Sequence, residues 1–100
     1  MLFEVMTPLG FTVRCTETYW EIIATVKHPA IAGRLDKVKH TLVDPDKIHR
    51  SQKDPDVLLF YCADQDRWIC AVTRRLNGDG FLITAYPTDA IKAGELVWSK

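Results

Sequence analysis

The stretch 57–86, VLLFYCADQDRWICAVTRRLNGDGFLITAY, decides the fold. Val57–Ala63 is a strongly apolar run, Trp68–Leu76 alternates with period two, and Phe81–Tyr86 is rich in aromatic and branched residues. Runs of this length, bounded by turn residues, read as strands. Asp64-Gln65-Asp66 separates the first two, and Asn77-Gly78-Asp79-Gly80 the last two. The Asn-Gly pair is a strong hairpin signal because both positions accept the positive φ that the tight turn demands. Loops this short join antiparallel neighbours. A shorter strand over Lys47–Gln52, set off by Lys53-Asp54-Pro55-Asp56, completes a four-stranded antiparallel meander.

The first half of the chain supplies the other layer. Leu2–Met6 and Phe11–Cys15 flank Thr7-Pro8-Leu9-Gly10, which predicts an N-terminal β-hairpin. Pro8 cannot donate to a ladder, so the hairpin suits an edge. Thr18, with Glu21 three residues on, predicts a capped helix that stops at His28, since Pro29 disfavours helical geometry in the residue before it. Ile31, Leu35, Val38 and Leu42 form one stripe at helical spacing, predicting a second helix over Ala30–Leu42. Asp44-Pro45-Asp46 ends it. The expected fold is therefore a single α+β domain, residues 1–100, with an N-terminal hairpin, two helices, and a four-stranded meander carrying both helices on one face. The tail 90–100 is expected to cover a sheet edge with Val97 and Trp98.

Alternation assigns the faces. Phe81, Ile83 and Ala85 are expected under the helices, with Leu82, Thr84 and Tyr86 opposite. In the preceding strand Trp68, Cys70 and Val72 are expected inside, with Arg74 emerging at the strand end. Arg75 then joins Thr84 and Tyr86 on the open face. A slip of one residue inverts this assignment.

One hundred residues with 47% hydrophobic and 26% charged residues is an ordinary globular composition. No apolar run nears the roughly 20 residues of a membrane span, and the first residues lack the pattern of a signal peptide. Thirteen basic residues balance thirteen acidic ones, so bulk attraction to nucleic acid is weak. The distribution is uneven: Lys27, Arg34, Lys37 and Lys39 face the single Asp36 between Lys27 and His40. Most charge runs of this kind are solvated helix faces; the alternative is a phosphate-facing patch. Three cysteines without a C-x-x-C spacing fit a reducing cytosol rather than a disulfide framework.

No motif for zinc, nucleotide-loop or serine-hydrolase chemistry is present, and the three histidines lack metal-ligand spacing. No cofactor or metal is expected. What remains is a dispersed set of His, Arg, Lys, Ser, Thr and Tyr, which suits metal-independent RNA cleavage. Histidine moves protons near neutrality, and arginine binds two phosphate oxygens with one fork. His28 is the foremost candidate, although a cation ending a helix also simply complements the helix dipole. Thr84 and Tyr86 are equally explained as strand formers.

Three groups of residues carry a resemblance. They are Gly10-Phe11-Thr12-Val13-Arg14 with Tyr19-Trp20, Ile23 and Lys27-His28-Pro29; Thr41-Leu42 with Pro45-Asp46, Ile48 and Ser51; and Gly80–Thr88 with Ile91-Lys92 and Gly94. Together they resemble a family of small uncharacterised bacterial and cyanobacterial proteins. The order of two helices and a four-stranded sheet looks like the BECR nuclease superfamily of barnase, EndoU, colicin and RelE ribonucleases, including toxin–antitoxin and phage types. That resemblance implies a metal-independent, toxin-like endoribonuclease in the cytoplasm, with RNA and a cognate antitoxin as partners and a monomer or homodimer as the working form. It implies His28 as acid/base group with Thr84 and Tyr86, and Lys27, Arg50, Ser51, Arg74, Arg75 and Lys92 as substrate- or phosphate-binding groups. Electroneutrality departs from the more basic RelE-type toxins. The competing expectations are a non-catalytic interaction module, using the open sheet face, an edge strand, or exposed Tyr19, Tyr61 and Trp98, and a small-ligand binder using a cleft between sheet and helices.

Overall fold

The computed structural model describes residues 1–92 and 94–100. Its elements run β1 (Phe3–Met6), β2 (Thr12–Cys15), α1 (Glu17–Ile22), a π-helical turn over Ile23–Lys27, a 3-10 turn over Pro29–Ile31, and α2 (Leu35–Val43). The strands β3 (Lys47–Ser51), β4 (Val57–Asp64), β5 (Arg67–Leu76), β6 (Asp79–Thr88) and β7 (Gly94–Ser99) follow.

Among the described residues these strands form one seven-stranded sheet in the order β1-β2-β6-β5-β4-β3-β7. The expected four-stranded antiparallel meander with both helices on one face is overturned. β3 to β6 do run as an antiparallel series, but both of its edges are extended. β2 joins β6 in parallel through Thr12–Arg14, making the sheet mixed. β7 joins β3 antiparallel on the other side. Two glycines permit these additions. A Cβ at Gly80 would lie 2.6 Å from the Phe11 ring, and one at Gly94 would lie 2.5 Å from the Arg50 carbonyl oxygen. Residues without a side chain let another part of the chain come that close.

Most local expectations correspond to real elements. Asn77 and Gly78 both take positive φ at the β5–β6 turn. The helices differ more. Thr16, rather than Thr18, caps α1 by accepting the Tyr19 N–H at 3.1 Å. The helix then widens into a π-turn closed by the His28 N–H on the Ile23 carbonyl at 2.8 Å. The expected continuous second helix breaks at Ala32–Arg34, so α2 starts at Leu35. Gly33 sits there at φ +78°, a left-handed conformation that ends regular helix. Ile31, Val38 and Leu42 are nonetheless fully buried.

The main core lies between the helical segments and one sheet face. Val13, Ile48, Phe60, Ile69 and Ala85 meet Ile23, Ile31, Val38 and Leu42 there. The opposite face carries a smaller cluster around Leu59, Tyr61 and Cys70, packed by Trp68, Val72, Tyr86 and Ile91. The expected faces of β5 are thus inverted: Ile69, Ala71 and Thr73 are inside, and Trp68, Cys70, Val72 and Arg74 are opposite. The register pairs Cys70 with Tyr86 and Val72 with Thr84, then steps so that Thr73 pairs with Leu82. Ile83 is the extra residue of this β-bulge. It turns Leu82 and Ala85 together into the core and leaves Phe81 exposed, which simple alternation could not anticipate.

Candidate functional site

The bulge shapes the site through a clamp on the free edge of β6. The Ile83 carbonyl accepts from Tyr19 Oη at 2.8 Å and from Lys27 Nζ at 3.1 Å, and Lys27 Nζ also donates to Tyr19 Oη at 2.8 Å. β2 covers β6 only as far as Phe81, so the helical segment closes the edge beyond. This brings His28, one residue past Lys27, over the edge to the second face. There its ring stands 4.9 Å from the Tyr86 ring, tilted by 40°. Tyr19→Phe deletes two of the three clamp bonds. We expect a loss of about 1–2 kcal/mol in urea unfolding and amide shift changes concentrated at Ile83–Tyr86 by NMR.

A cavity of about 550 Å³ opens on that second face. It is lined by His28, by Ser51, Gln52 and Lys53 from the end of β3 and its turn, by Val57, Leu59 and Val72, by Thr84 and Tyr86, and by Lys92. Among the described residues its lining has two lysines and a histidine but no carboxylate. The geometry of the sheet explains the arrangement. His49, Leu59, Val72 and Thr84 are successive cross-strand neighbours on this face, as are Lys47, Tyr61, Cys70 and Tyr86. Lys92 is held over the second row, its N–H donating to Tyr61 Oη at 3.1 Å and its ammonium 5.5 Å from the Tyr86 ring.

Thr84 Oγ1 and Tyr86 Oη are shielded from bulk solvent and make no hydrogen bond of acceptable geometry among the described residues, as is true of His49 Nδ1. The Cys70 thiol stands beside Tyr86, but sulfur is a weak partner. Buried hydroxyls without partners are uncommon. Burial, and then the neighbouring Cys70, drives the Tyr86 pKa upward. The same two causes push Tyr61 up to about 12, and burial pushes Cys70 up to about 11. All three therefore stay neutral at ordinary pH.

The raised values have a consequence for stability. An unfolded chain releases a cysteine proton near pH 9, whereas folded Cys70 holds it to about pH 11. Unfolded protein binds fewer protons in that interval, so stability falls as pH rises through it. For Cys70 the two-unit displacement corresponds to about 2–3 kcal/mol, and its coupling to the tyrosines makes their contributions non-additive. Urea midpoints between pH 8 and pH 11 should fall, and less so in Cys70→Ala. An identical fall in that variant would contradict the assignment.

Five of the nine residues expected at a site line the cavity: His28, Ser51, Thr84, Tyr86 and Lys92. The other four are engaged elsewhere. Lys27 is held in the clamp. Arg50 pairs with Glu95 at 2.8 Å, and Arg74 with Asp54 at 2.6 Å. Arg75 lies on the helix face with its guanidinium 4.7 Å from the Phe11 ring, because the register of β5 is the reverse of the expected one. Sequence reasoning missed Gln52, Lys53, Val57, Leu59 and Val72. The end of the expected strand at Gln52 and the Lys53–Asp56 turn signal marked where the first two lie, but only the register places the others. Tyr61, expected on an exposed aromatic patch, is fully buried, while Tyr19 and Trp98 are half-buried. The three form no such patch.

Among the described residues no cluster of three or more His, Cys, Asp or Glu side chains is placed to hold a metal ion. No helix of the described residues is long and apolar enough to cross a membrane. Searches against protein-family models, curated proteins and solved structures find no match for the chain. The chemistry of the cavity thus has to carry the functional reading.

Proposed function

We propose that the protein is a metal-independent endoribonuclease acting at the His28–Tyr86 cavity. The observation that carries the reading is the convergence of His28, Thr84, Tyr86 and Lys92 on one cavity whose lining is cationic and free of carboxylates. An anionic phosphodiester suits such a lining, and a carboxylate-rich cleft would repel it. The nuclease reading does not depend on the expected four-stranded meander, which the seven-stranded mixed sheet replaces.

In the proposed reaction the 2′-oxygen of RNA attacks the adjacent phosphorus and the bond to the 5′-oxygen breaks. His28 takes the 2′-hydroxyl proton as general base. Lys92 balances the charge that gathers on the non-bridging oxygens. Water entering the cavity supplies the proton that the leaving 5′-oxygen requires, while the Tyr86 ring backs the His28 imidazole at 4.9 Å. The products are a 2′,3′-cyclic phosphate and a 5′-hydroxyl end. Toxin-like action and an antitoxin partner are narrower parts of the same proposal.

The test is incubation with a mixed-sequence single-stranded RNA in EDTA, with the DNA of the same sequence as control. Cyclic-phosphate ends on the RNA, with the DNA uncut, are expected. Intact RNA under those conditions removes the reading.

A further inference from the structure

We infer that the cavity accepts one unpaired nucleotide, its phosphate at the His28–Lys92 end and its base on an apolar floor made by Val57, Leu59 and Val72. The phosphate end rests on the functional reading above; the base end stands on separate observations. The register sets Leu59 opposite Val72 and Val72 opposite Thr84. The apolar side chains therefore lead away from the polar end along one cross-strand row. With neighbouring strands about 4.8 Å apart, Leu59 lies on the order of 10 Å from Thr84, a displacement well beyond the size of a phosphate group.

A small inorganic anion gains nothing from such a floor, since apolar surface offers a hydrated ion no partner. A nucleobase does gain, because its faces are apolar while its edges carry donors and acceptors. Gln52, exposed at the rim, supplies an amide with both. Leu59 is almost fully buried yet still contributes to the cavity wall, so the floor is a fixed part of the sheet. The volume of about 550 Å³ falls within the range of about 300–1,000 Å³ typical of small-molecule sites. It has no room for a paired helix. RNA would enter with one base turned out of its strand, the usual way in which proteins read unpaired RNA.

The experiment is calorimetric titration of the intact protein with inorganic phosphate, the four ribonucleoside 3′-monophosphates, and the four nucleosides. At least one 3′-monophosphate is expected to bind about tenfold or more tightly than phosphate and than its own nucleoside. Val57→Phe fills the base end at a half-buried position; it should abolish that advantage while leaving phosphate affinity within about twofold. Gln52→Ala, at an exposed turn position, should weaken the nucleotide and change the ranking of the four bases. Circular dichroism confirms that each variant is folded. Equal affinity of wild type for phosphate and for all four 3′-monophosphates overturns the inference, as does a folded Val57→Phe that keeps the full advantage. Binding is read without turnover, so the two proposals separate. Nucleotide bound but RNA uncut sinks only the nuclease, whereas RNA cut with no nucleotide advantage sinks only the base site.

Discussion

His28→Ala is expected to lower RNA cleavage by about 10²–10⁴-fold, the range that a positioned general base contributes. Folding should be almost unaffected. The His28 side chain is half-buried and makes no hydrogen bond among the described residues; its ring stands 4.9 Å from the Tyr86 ring. The bonds that the residue gives to the fold come from its backbone, with the N–H on the Ile23 carbonyl at 2.8 Å and the carbonyl accepting the Ile31 N–H at 3.0 Å. Alanine keeps both. Its φ of −144° and ψ of 82° are open to any residue before proline. The measurement is single-turnover cleavage of a fluorescent RNA, with thermal melting alongside. His40→Ala is the control, because His40 is an exposed α2 residue whose nearest charged partner is Asp44 at 4.0 Å. Equal rates for wild type and His28→Ala would remove His28 from the reaction.

Phe60→Ala should destabilise the protein by about 3–5 kcal/mol. Phe60 is fully buried near the middle of β4, between Ile48 of β3 and Ala71 of β5. Its ring meets Phe11 edge-to-face with centroids 6.3 Å apart, and Phe11 in turn covers Gly80 where β2 joins β6. Removing the ring leaves a cavity that the strand backbones on either side hold open, so little relaxation offsets the loss. A domain of this size has about 5–15 kcal/mol in total, which makes the change a large fraction of it. Equilibrium urea unfolding should show a much lower midpoint at an unchanged slope. A loss below about 1 kcal/mol would mean that the core repacks.

The parts legible in the sequence were those governed by neighbours along the chain. Asn77-Gly78 marked the β5–β6 turn because positive φ is a local demand of a two-residue turn. The Ile31, Val38 and Leu42 stripe marked the buried side of the second helical region because helical spacing is local. Pro29 placed the stop at His28. Thr84 and Tyr86 were assigned to the face opposite the helices by alternation within a single strand, and they are found there. The residue resemblances concern the same local runs and did not anticipate the sheet.

Where reasoning failed, the deciding interaction lay far away in sequence. The faces of β5 depend on its long-range register with β4 and β6, and the bulge that inverts the outer end of β6 is held at Ile83 by Tyr19 and Lys27, 64 and 56 residues distant. Arg75 was placed with the site for that reason and stands on the other face. Lys27 was expected on phosphate and instead clamps a carbonyl. Arg50 and Arg74 found acidic partners, Glu95 and Asp54, that spacing along the chain did not reveal.

By itself, then, the sequence determined the strands before the tail, their turns, and His28, Thr84 and Tyr86 as candidates, with Ser51 and Lys92 added by the resemblance, since propensity, periodicity and side-chain chemistry are properties of short segments. Tertiary structure alone decided that the N-terminal hairpin and the tail join the meander in one mixed sheet. It also decided that His28 crosses an edge to meet Tyr86 and that Val57, Leu59 and Val72 lie beside them. Edge pairing and register are settled by which distant backbones can approach closely, as at Gly80 and Gly94, and no local pattern records that.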